Sequence, residues 1–467
     1  MAQYLRLFET NEEFESIYNK PEEGYVEPWV SLTDSNGEVN YNYNEWEEWY
    51  KQKKNPFTLE ITSGGTLMMY GLCYPGEDLR YRINGGEWVV LVSDHQWLGV
   101  ENPTVQSGDV IEFVGINPNF ATCDEDSRGF FATGWGWNDE VPSWVGEEEG
   151  FAKFKARGNI LSMVDKNNYQ TMDSLPEGME VGLWLFEWCS ALVDAGDLVL
   201  PILDLTTPEG QYYGNITYDS LFWACKNMVR APKLPSTTLG ANCYRKMFGG
   251  CQSMTVAPVL PATAVPDSAY EQMFSGCISL TQAPELPGTE LGNYCYSSMF
   301  RGCTGLTAAP ALPATVLAPG CYAYMFFDCT SLTAGPELPA TALASHCYYC
   351  MFHSCTGLTA APALPATALT ESCYESMFYS CTGLTTAPEL PAPTLVSSCY
   401  EFMFGYCTSL TYVKCLATDI SANRATRYWF EYGVPNTSSC TFVKAASMTS
   451  WPRTVSGIPS NWTVQDA

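Results

Sequence analysis

Cys295-Tyr296-Ser297-Ser298-Met299-Phe300-Arg301-Gly302-Cys303-Thr304-Gly305-Leu306-Thr307-Ala308-Ala309-Pro310-Ala311-Leu312-Pro313-Ala314-Thr315-Val316-Leu317 is the stretch on which the fold turns. Copies of it follow one another without insertion. Met-Phe pairs begin at Met247, Met273, Met299, Met325, Met351, Met377 and Met403, each step being 26 residues. A fixed period of this length is the mark of a repeat architecture, in which one unit cannot bury its own apolar face and must stack on the next. Degenerate copies extend the series upstream. Leu221, Phe222 and Cys225 stand one period before Met247, Phe248 and Cys251, and Leu185, Phe186 and Cys189 start an earlier copy after a 10-residue excess, which makes nine coils.

Each coil reads as two halves. Leu306, Ala309 and Leu312 alternate with small residues as a short strand, in which Pro310 and Pro313 forbid a long ladder. Cys321, Tyr322, Met325, Phe326 and Cys329 recur at i, i+4 and i+8, the spacing of one helical face, so the second half is expected to be a helix. Parallel pairing of the strands at roughly 4.8 Å then gives a right-handed solenoid, and nine coils a rod of about 45 Å.

The cysteines fall into two columns, four residues before and four after each Met. Within one coil, eight residues of helix would hold the columns about 12 Å apart, too far for a bridge. Two readings stand: buried reduced thiols acting as small core residues, and bridges between neighbouring coils. Ala269 in the first column shows that a small hydrophobe fits there too.

Over the 467 residues, 51 acidic groups oppose 23 basic ones, a net charge of -28, which excludes a general nucleic-acid binder. With 46% hydrophobic and 14% aromatic residues the chain has ample core material, so disorder throughout is not expected. No run approaches the ~18 apolar residues of a membrane span, and Met1 to Glu13 carry charges where a signal peptide needs an apolar run.

Upstream of the repeats, residues 56–157 alternate in short runs such as Phe57 to Thr62, Leu79 to Ile83 and Asp109 to Val114. The turn signal Asn84-Gly85 separates two of them. That is the pattern of an Ig-like antiparallel β-sandwich. Residues 1–55 form a third segment, rich in aromatics and with 12 acidic against 2 basic residues in the first 50. At the other end, residues 415–467, which contain Trp429, Phe430, Trp451 and Trp462, are expected to cap the last open coil of a solenoid spanning 158–414. The fold class is thus mixed β/α: a sandwich, a solenoid of 26-residue coils and a C-terminal cap.

Met299, Phe300, Cys303, Leu306, Leu312 and Pro313 occupy the places that define the BspA-like leucine-rich repeats of Bacteroides surface proteins, and the repeat resembles that family, lengthened here from its usual shorter unit. Asn84-Gly85-Gly86-Glu87-Trp88, Val105 to Phe113 and Gly158-Asn159-Ile160-Leu161-Ser162 resemble the sandwich and the segment leading into such repeats in Bacteroides proteins and their phages. Gly457-Ile458-Pro459-Ser460-Asn461-Trp462 resembles the terminal cap of the same group. The opening, Tyr25-Val26-Glu27-Pro28-Trp29-Val30-Ser31 followed by Val39-Asn40-Tyr41-Asn42, is similar to the starts of virion proteins of crAss-like phages. The resemblance implies a head fibre, capsid decoration or tail-associated fibre. Such a protein is assembled in the host cytoplasm and released in the virion, commonly as a homo-oligomer such as a trimer.

Catalytic signals are sparse. There is no Gly-rich phosphate loop, no His-Glu-x-x-His and no Gly-x-Ser-x-Gly, and three histidines leave few general bases or metal ligands. His346, Cys347, Cys350, His353 and Cys355 are the densest ligand-type cluster. Cys347 and Cys355 are ordinary column residues, however, and the histidines sit at variable positions, so they read as surface imidazoles rather than zinc ligands. Glu285, Glu337 and Glu389 recur at the strand position between Pro and Leu with alanines between them, two coils or roughly 10 Å apart. That spacing suits separation of like charges, or an acidic stripe on a binding face, better than a glycosidase pair. Acidic loop runs such as Asp124 to Asp126 lack calcium-loop spacing. Trp135 and Trp137 lie in an irregular stretch and either pack in the core or stack on sugars.

The expectation is a structural virion protein without catalytic activity or cofactor. Pro28, Trp29 and Tyr41 anchor it to other virion proteins, and the repeats adhere to bacterial or gut glycan. The alternative is a bacterial cell-surface adhesin that binds proteins.

Overall fold

The structure is a computed structural model that describes residues 52–69, 78–91, 102–116, 130–131, 150–170, 172, 185–201, 218–234 and 236–467, and residues 32–33 and 39–41 by backbone alone. Fifteen strands appear in it. They are β1 (Leu32–Thr33), β2 (Val39–Tyr41), β3 (Phe57–Ser63), β4 (Gly65–Thr66), β5 (Asp78–Ile83), β6 (Val89–Val90), β7 (Thr104–Val105), β8 (Val110–Ile116), β9 (Lys153–Asn159), β10 (Leu192–Val199), β11 (Ala264–Val265), β12 (Glu290–Leu291), β13 (Tyr412–Cys415), β14 (Thr441–Lys444) and β15 (Thr463–Asp466). They divide between two compact units. The first is Met1–Ile216 with Met228–Thr238, and the second Thr217–Asn227 with Leu239–Ala467. No helix among the described residues is long and apolar enough to cross a membrane.

In the first unit a six-stranded sheet runs in the order β10-β9-β3-β8-β5-β6, antiparallel except for the β9–β10 pair, and β4 pairs separately with β7. Alternating residues of β3 and β8 face inward, so Phe57 and Phe113 stand opposite each other with ring centroids 5.4 Å apart, and Phe131, Phe154 and Phe186 close the cluster around them. The sequence Gly158-Asn159-Ile160-Leu161-Ser162 ties this core together. Gly158 has φ 76, and a Cβ there would lie 2.1 Å from the Pro56 carbonyl oxygen, which only glycine avoids. The fully buried Asn159 side chain donates to the carbonyls of Lys53 and Tyr169, both at 3.1 Å, and accepts from the Leu161 amide. Ser162 accepts from Phe57 N–H at 2.8 Å and donates to the Phe113 carbonyl at 2.9 Å, so both polar side chains that this motif buries are bonded.

The second unit is a stack of coils, and here the sequence expectation of a mixed β/α fold is overturned: the described residues of the repeats contain no helix, and the regular elements there are strands. Helical conformation among the described residues is confined to Gln52–Lys53 and one 3-10 turn, Ile160–Met163. What stands in place of the expected helix is a chain of four-residue turns. In the coil that opens at Gly320 the amides alternate. Cys321, Ala323, Met325, Phe327 and Cys329 donate to the carbonyl three residues back. Gly320, Tyr322, Tyr324, Phe326 and Asp328 donate forward to Ser345, Cys347, Tyr349, Met351 and His353 in the next coil. Every fourth residue is left-handed, with φ 62, 56 and 58 at Gly320, Tyr324 and Asp328, and the same three places recur at His346, Cys350 and Ser354 and at Ser372, Ser376 and Ser380. A strict four-residue repeat turns the same two side chains inward each time, and this mimics the i, i+4, i+8 signature of a helix.

The interior is built of ladders. Tyr218, Tyr244, Tyr270, Tyr296, Tyr322, Tyr348, Tyr374 and Tyr400 stack coil on coil, as do the phenylalanines from Phe222 to Phe430, with the rings of Phe300 and Phe326 5.8 Å apart. The eighteen described cysteines are buried and form no disulfide, and burial pushes the Cys303 thiol up to about 12. The second column has a bonding role that the sequence did not suggest. Each thiol from Cys251 to Cys407 donates to the carbonyl of a phenylalanine one coil back, as Cys329 does to Phe300 at 3.0 Å.

On the strand side the prolines limit pairing to single parallel bridges such as Gln282↔Ala308 and Ala334↔Ala360, with β11 and β12 the longest stretch between regular coils. The stack ends in the parallel sheet β13-β14-β15. Trp429 continues the tyrosine ladder and donates to the Gly457 carbonyl, Trp451 stacks on it at 5.3 Å, and Trp462 donates to Pro435. These buried tryptophans cover the last coil; the N–H groups of Trp429 and Trp462 are satisfied, while that of Trp451 is buried without a hydrogen-bond partner.

Candidate functional site

The two sides of a coil in the second unit differ in what they offer a ligand. On the strand side the outward residues repeat the consensus: Thr307, Ala308, Ala311 and Thr315 are exposed, and Val316 is 68% exposed. Three of its threonine hydroxyls are engaged along the axis, Thr307 donating to the Thr281 carbonyl, Thr359 to Thr333 and Thr411 to Thr385 at 3.2 to 3.3 Å. Glu285, Glu337 and Glu389 lie on this side and are exposed. They are not brought together. Glu389 instead pairs with Lys414 at 3.0 Å, an exposed contact of small energetic weight.

On the turn side, the residue after each Met-Phe pair changes from coil to coil: Gly249, Ser275, Arg301, Phe327, His353, Tyr379, Gly405. From Arg301 onward these side chains touch. The Arg301 guanidinium lies 5.1 Å over the Phe327 ring, Phe327 stacks on His353 at 4.4 Å and 12°, and His353 stacks on Tyr379 at 4.7 Å and 19°. The next place is Gly405, where a Cβ would lie 2.7 Å from a Tyr379 ring carbon, so the missing side chain is what lets that ring lie down. Tyr379 then meets Tyr406 edge-on at 5.3 Å, and Tyr406 stacks on Tyr432 at 5.2 Å and 14°. The result is one row from Arg301 to Tyr432. Its last two rings are 42% and 48% exposed.

Two shorter rows of rings lie about one turn earlier in some of the coils. Tyr324 meets Tyr349 at 5.0 Å, His346 lies 5.7 Å from Tyr349, and Phe402 meets Tyr428, over which Arg427 sits at 4.5 Å. Tyr324–Phe327 and Tyr379–Phe402 link the rows. Among them stands Glu375, whose half-burial raises its pKa, reinforced by the charge of Glu401 in the next coil and opposed by Ser372, His346 and Arg424. Glu401 is 3% exposed, with one oxygen taken by Ser398 at 2.8 Å and the other facing Arg427 at 3.7 Å, so it presents no free oxygen to a substrate. The side as a whole is suited to binding: polar ring edges, hydroxyls and a few charges of both signs on a backbone fixed by bonds between coils.

The suspected ligand cluster does not converge. Cys347, Cys350 and Cys355 are buried, Cys355 being bonded to the Phe326 carbonyl, while His353 is held in the ring stack with Nδ1 2.9 Å from the Ser354 hydroxyl. Among the described residues no group of three or more metal-ligating side chains comes together. Burial lowers the His353 pKa. Pro28, Trp29, Trp135 and Trp137 lie outside the described residues, as does the side chain of Tyr41. The aromatic rows were the part the sequence reading missed. The signal was present in the changing residue beside an otherwise constant Met-Phe pair.

No family model matches this chain, and no curated protein matches it. Among solved structures it is similar to a leucine-rich repeat protein from Bacteroides ovatus ATCC 8483, at 17% identity over 71% of this chain and the whole of that one, with a TM-score of 0.36. The class is therefore defined by the coils themselves, a repeat solenoid with buried Leu306 and Leu312 positions and an aromatic turn side.

Proposed function

We propose that this chain is a non-catalytic adhesive protein of a phage particle, a fibre or decoration whose turn side holds bacterial or gut glycan. The observation that carries the adhesive part is that the varying residues of the turn side touch one another, arginine, histidine and tyrosine being in contact across six coils from Arg301 to Tyr432, whereas varying strand-side residues such as Glu285, Glu337 and Glu389 are not brought together. Repeats that stack rigidly align many weak contacts, and several copies on one particle multiply residence time without a deep pocket. The net charge of -28 disfavours nucleic acid and other polyanions as ligands. The virion part is supported by the resemblance of the opening segment to crAss-like phage proteins, with residues 1–55 as the attachment to the particle. The test is retention on immobilised Bacteroides surface polysaccharide. The double variant Tyr406→Ser, Tyr432→Ser is expected to lose at least tenfold in affinity, whereas retention equal to the unaltered chain sinks the adhesive reading. Mass spectrometry of purified particles beside host membranes tests the placement: peptides of this chain in membranes alone would favour the bacterial surface adhesin.

A further inference from the structure

The turn side also restricts the shape of its ligand, given the proposal that this side is the binding face. Sugars commonly lie flat on an aromatic face, but between Arg301 and Tyr379 the ring faces of this row are occupied: Phe327 has Arg301 on one face and His353 at 4.4 Å on the other, and His353 lies between Phe327 and Tyr379. What remains toward solvent is a file of ring edges and polar tips, one per coil. The spacing of that file is fixed by the forward amide bonds, five between each pair of regular coils, such as Gly320 to Ser345 and Asp328 to His353. Its members stand 4.4 to 5.3 Å apart from one coil to the next.

We infer that the ligand is a linear, neutral glycan with equatorial linkages, lying along the stacking axis and placing about one sugar against each coil from Arg301 to Tyr432. Extended chains of equatorially linked pyranoses advance by nearly the coil step per sugar and keep register over several coils. Axially linked chains curl away after one or two. Each sugar then gains hydroxyl-to-hydroxyl or hydroxyl-to-imidazole bonds at the edges of His353, Tyr379, Tyr406 and Tyr432. Neutrality follows from the charges beside the row, where Asp328, Glu375 and Glu431 offset Arg301, Arg424 and Arg427 on a chain of net charge -28.

The experiment is calorimetric titration of the full chain with cello-oligosaccharides from the disaccharide to the hexasaccharide, beside malto-oligosaccharides of the same lengths. Each added cello unit is expected to tighten binding by roughly three- to tenfold, the yield of one net hydrogen bond per coil, while the malto series stays flat after its first members. In the variant Tyr406→Ser, Tyr432→Ser the gain should stop two sugars sooner. That variant keeps the coil, because Ser354 and Ser380 already occupy the same left-handed place in other coils. Affinity that does not change with length, an equal gain in the malto series, or no binding of the cello series overturns the inference. If the same variant still loses the Bacteroides polysaccharide in any of those cases, the adhesive reading survives. If it retains that polysaccharide, both fall.

Discussion

On the strand side of the second unit the outward residues are mostly small, and one place is constant, with threonine over threonine from Thr281 to Thr385 and the hydroxyls of Thr307, Thr359 and Thr411 bonded along the axis. The turn side is held by more backbone bonds between coils, yet it tolerates Gly, Ser, Arg, Phe, His and Tyr at one outward place. The difference teaches where specificity is cheap. A backbone that carries its own register through amides leaves outward side chains free to vary, whereas on the strand side proline removes amides and the remaining small side chains do part of the joining.

The largest break should come from the inward residues of the turn side. Phe326→Ala removes a fully buried ring stacked 5.8 Å from Phe300 and 5.6 Å from Phe352, and should cost about 3–5 kcal/mol in chemical denaturation. A loss under about 1 kcal/mol would mean that the amide bonds, not the ladder, hold the coils. Next are the two thiol columns compared with each other. Cys329→Ala loses the bond to the Phe300 carbonyl as well as a sulfur's packing, about 1–2 kcal/mol, and should exceed Cys295→Ala in the column where Ala269 is already accommodated. Equal costs would show that the thiol bond adds nothing.

A smaller effect concerns pH. Burial holds the His353 imidazole neutral and lowers its folded pKa below the unfolded value of about 6.5. Asp328 opposes that shift and Arg301 supports it. The unfolded chain therefore takes up the proton first, so stability is full above the unfolded pKa and declines as pH falls toward the folded one. Unfolding midpoints measured above and below about pH 6.5 should diverge less in His353→Phe than in the unaltered chain, and an unchanged divergence would discard the stacked-imidazole account. The smallest effect is expected on the strand side. Glu285→Gln with Glu337→Gln should shift stability by less than about 0.5 kcal/mol and leave polysaccharide binding as it was. Lost binding would move the functional face to that side.

Much of this molecule could be read from its residues, and the exceptions have physical causes. The 26-residue step, the inward pairs such as Met325 and Phe326, the thiol columns and the closing tryptophans follow from which positions stay apolar, and burial respects them. The helix did not follow. A four-residue turn and a 3.6-residue helix put the same side chains inward over two or three steps, and they differ in where the amides go, which side-chain identity records weakly. Gly302, Asn242, Asp328 and His346 are residues that enter left-handed turns easily, yet Ser376, Tyr324, Gln272 and Phe402 hold the same conformation because neighbouring coils impose it. The site was hidden for a related reason. Glu285, Glu337 and Glu389 are conspicuous because they are charged, whereas Phe327, His353 and Tyr379 become a row only when coils 26 residues apart are superposed in space.

The alternation of amides has one more consequence, for how such a chain grows. Every regular coil presents its neighbour ahead with the same five forward donors and accepts the same five from behind. A duplicated block of 26 residues, inserted between any two coils, finds its donors and acceptors waiting and disturbs no other pairing. The stack can therefore lengthen or shorten by copying error alone, and each new coil arrives with a blank outward place on which a different side chain can be tried.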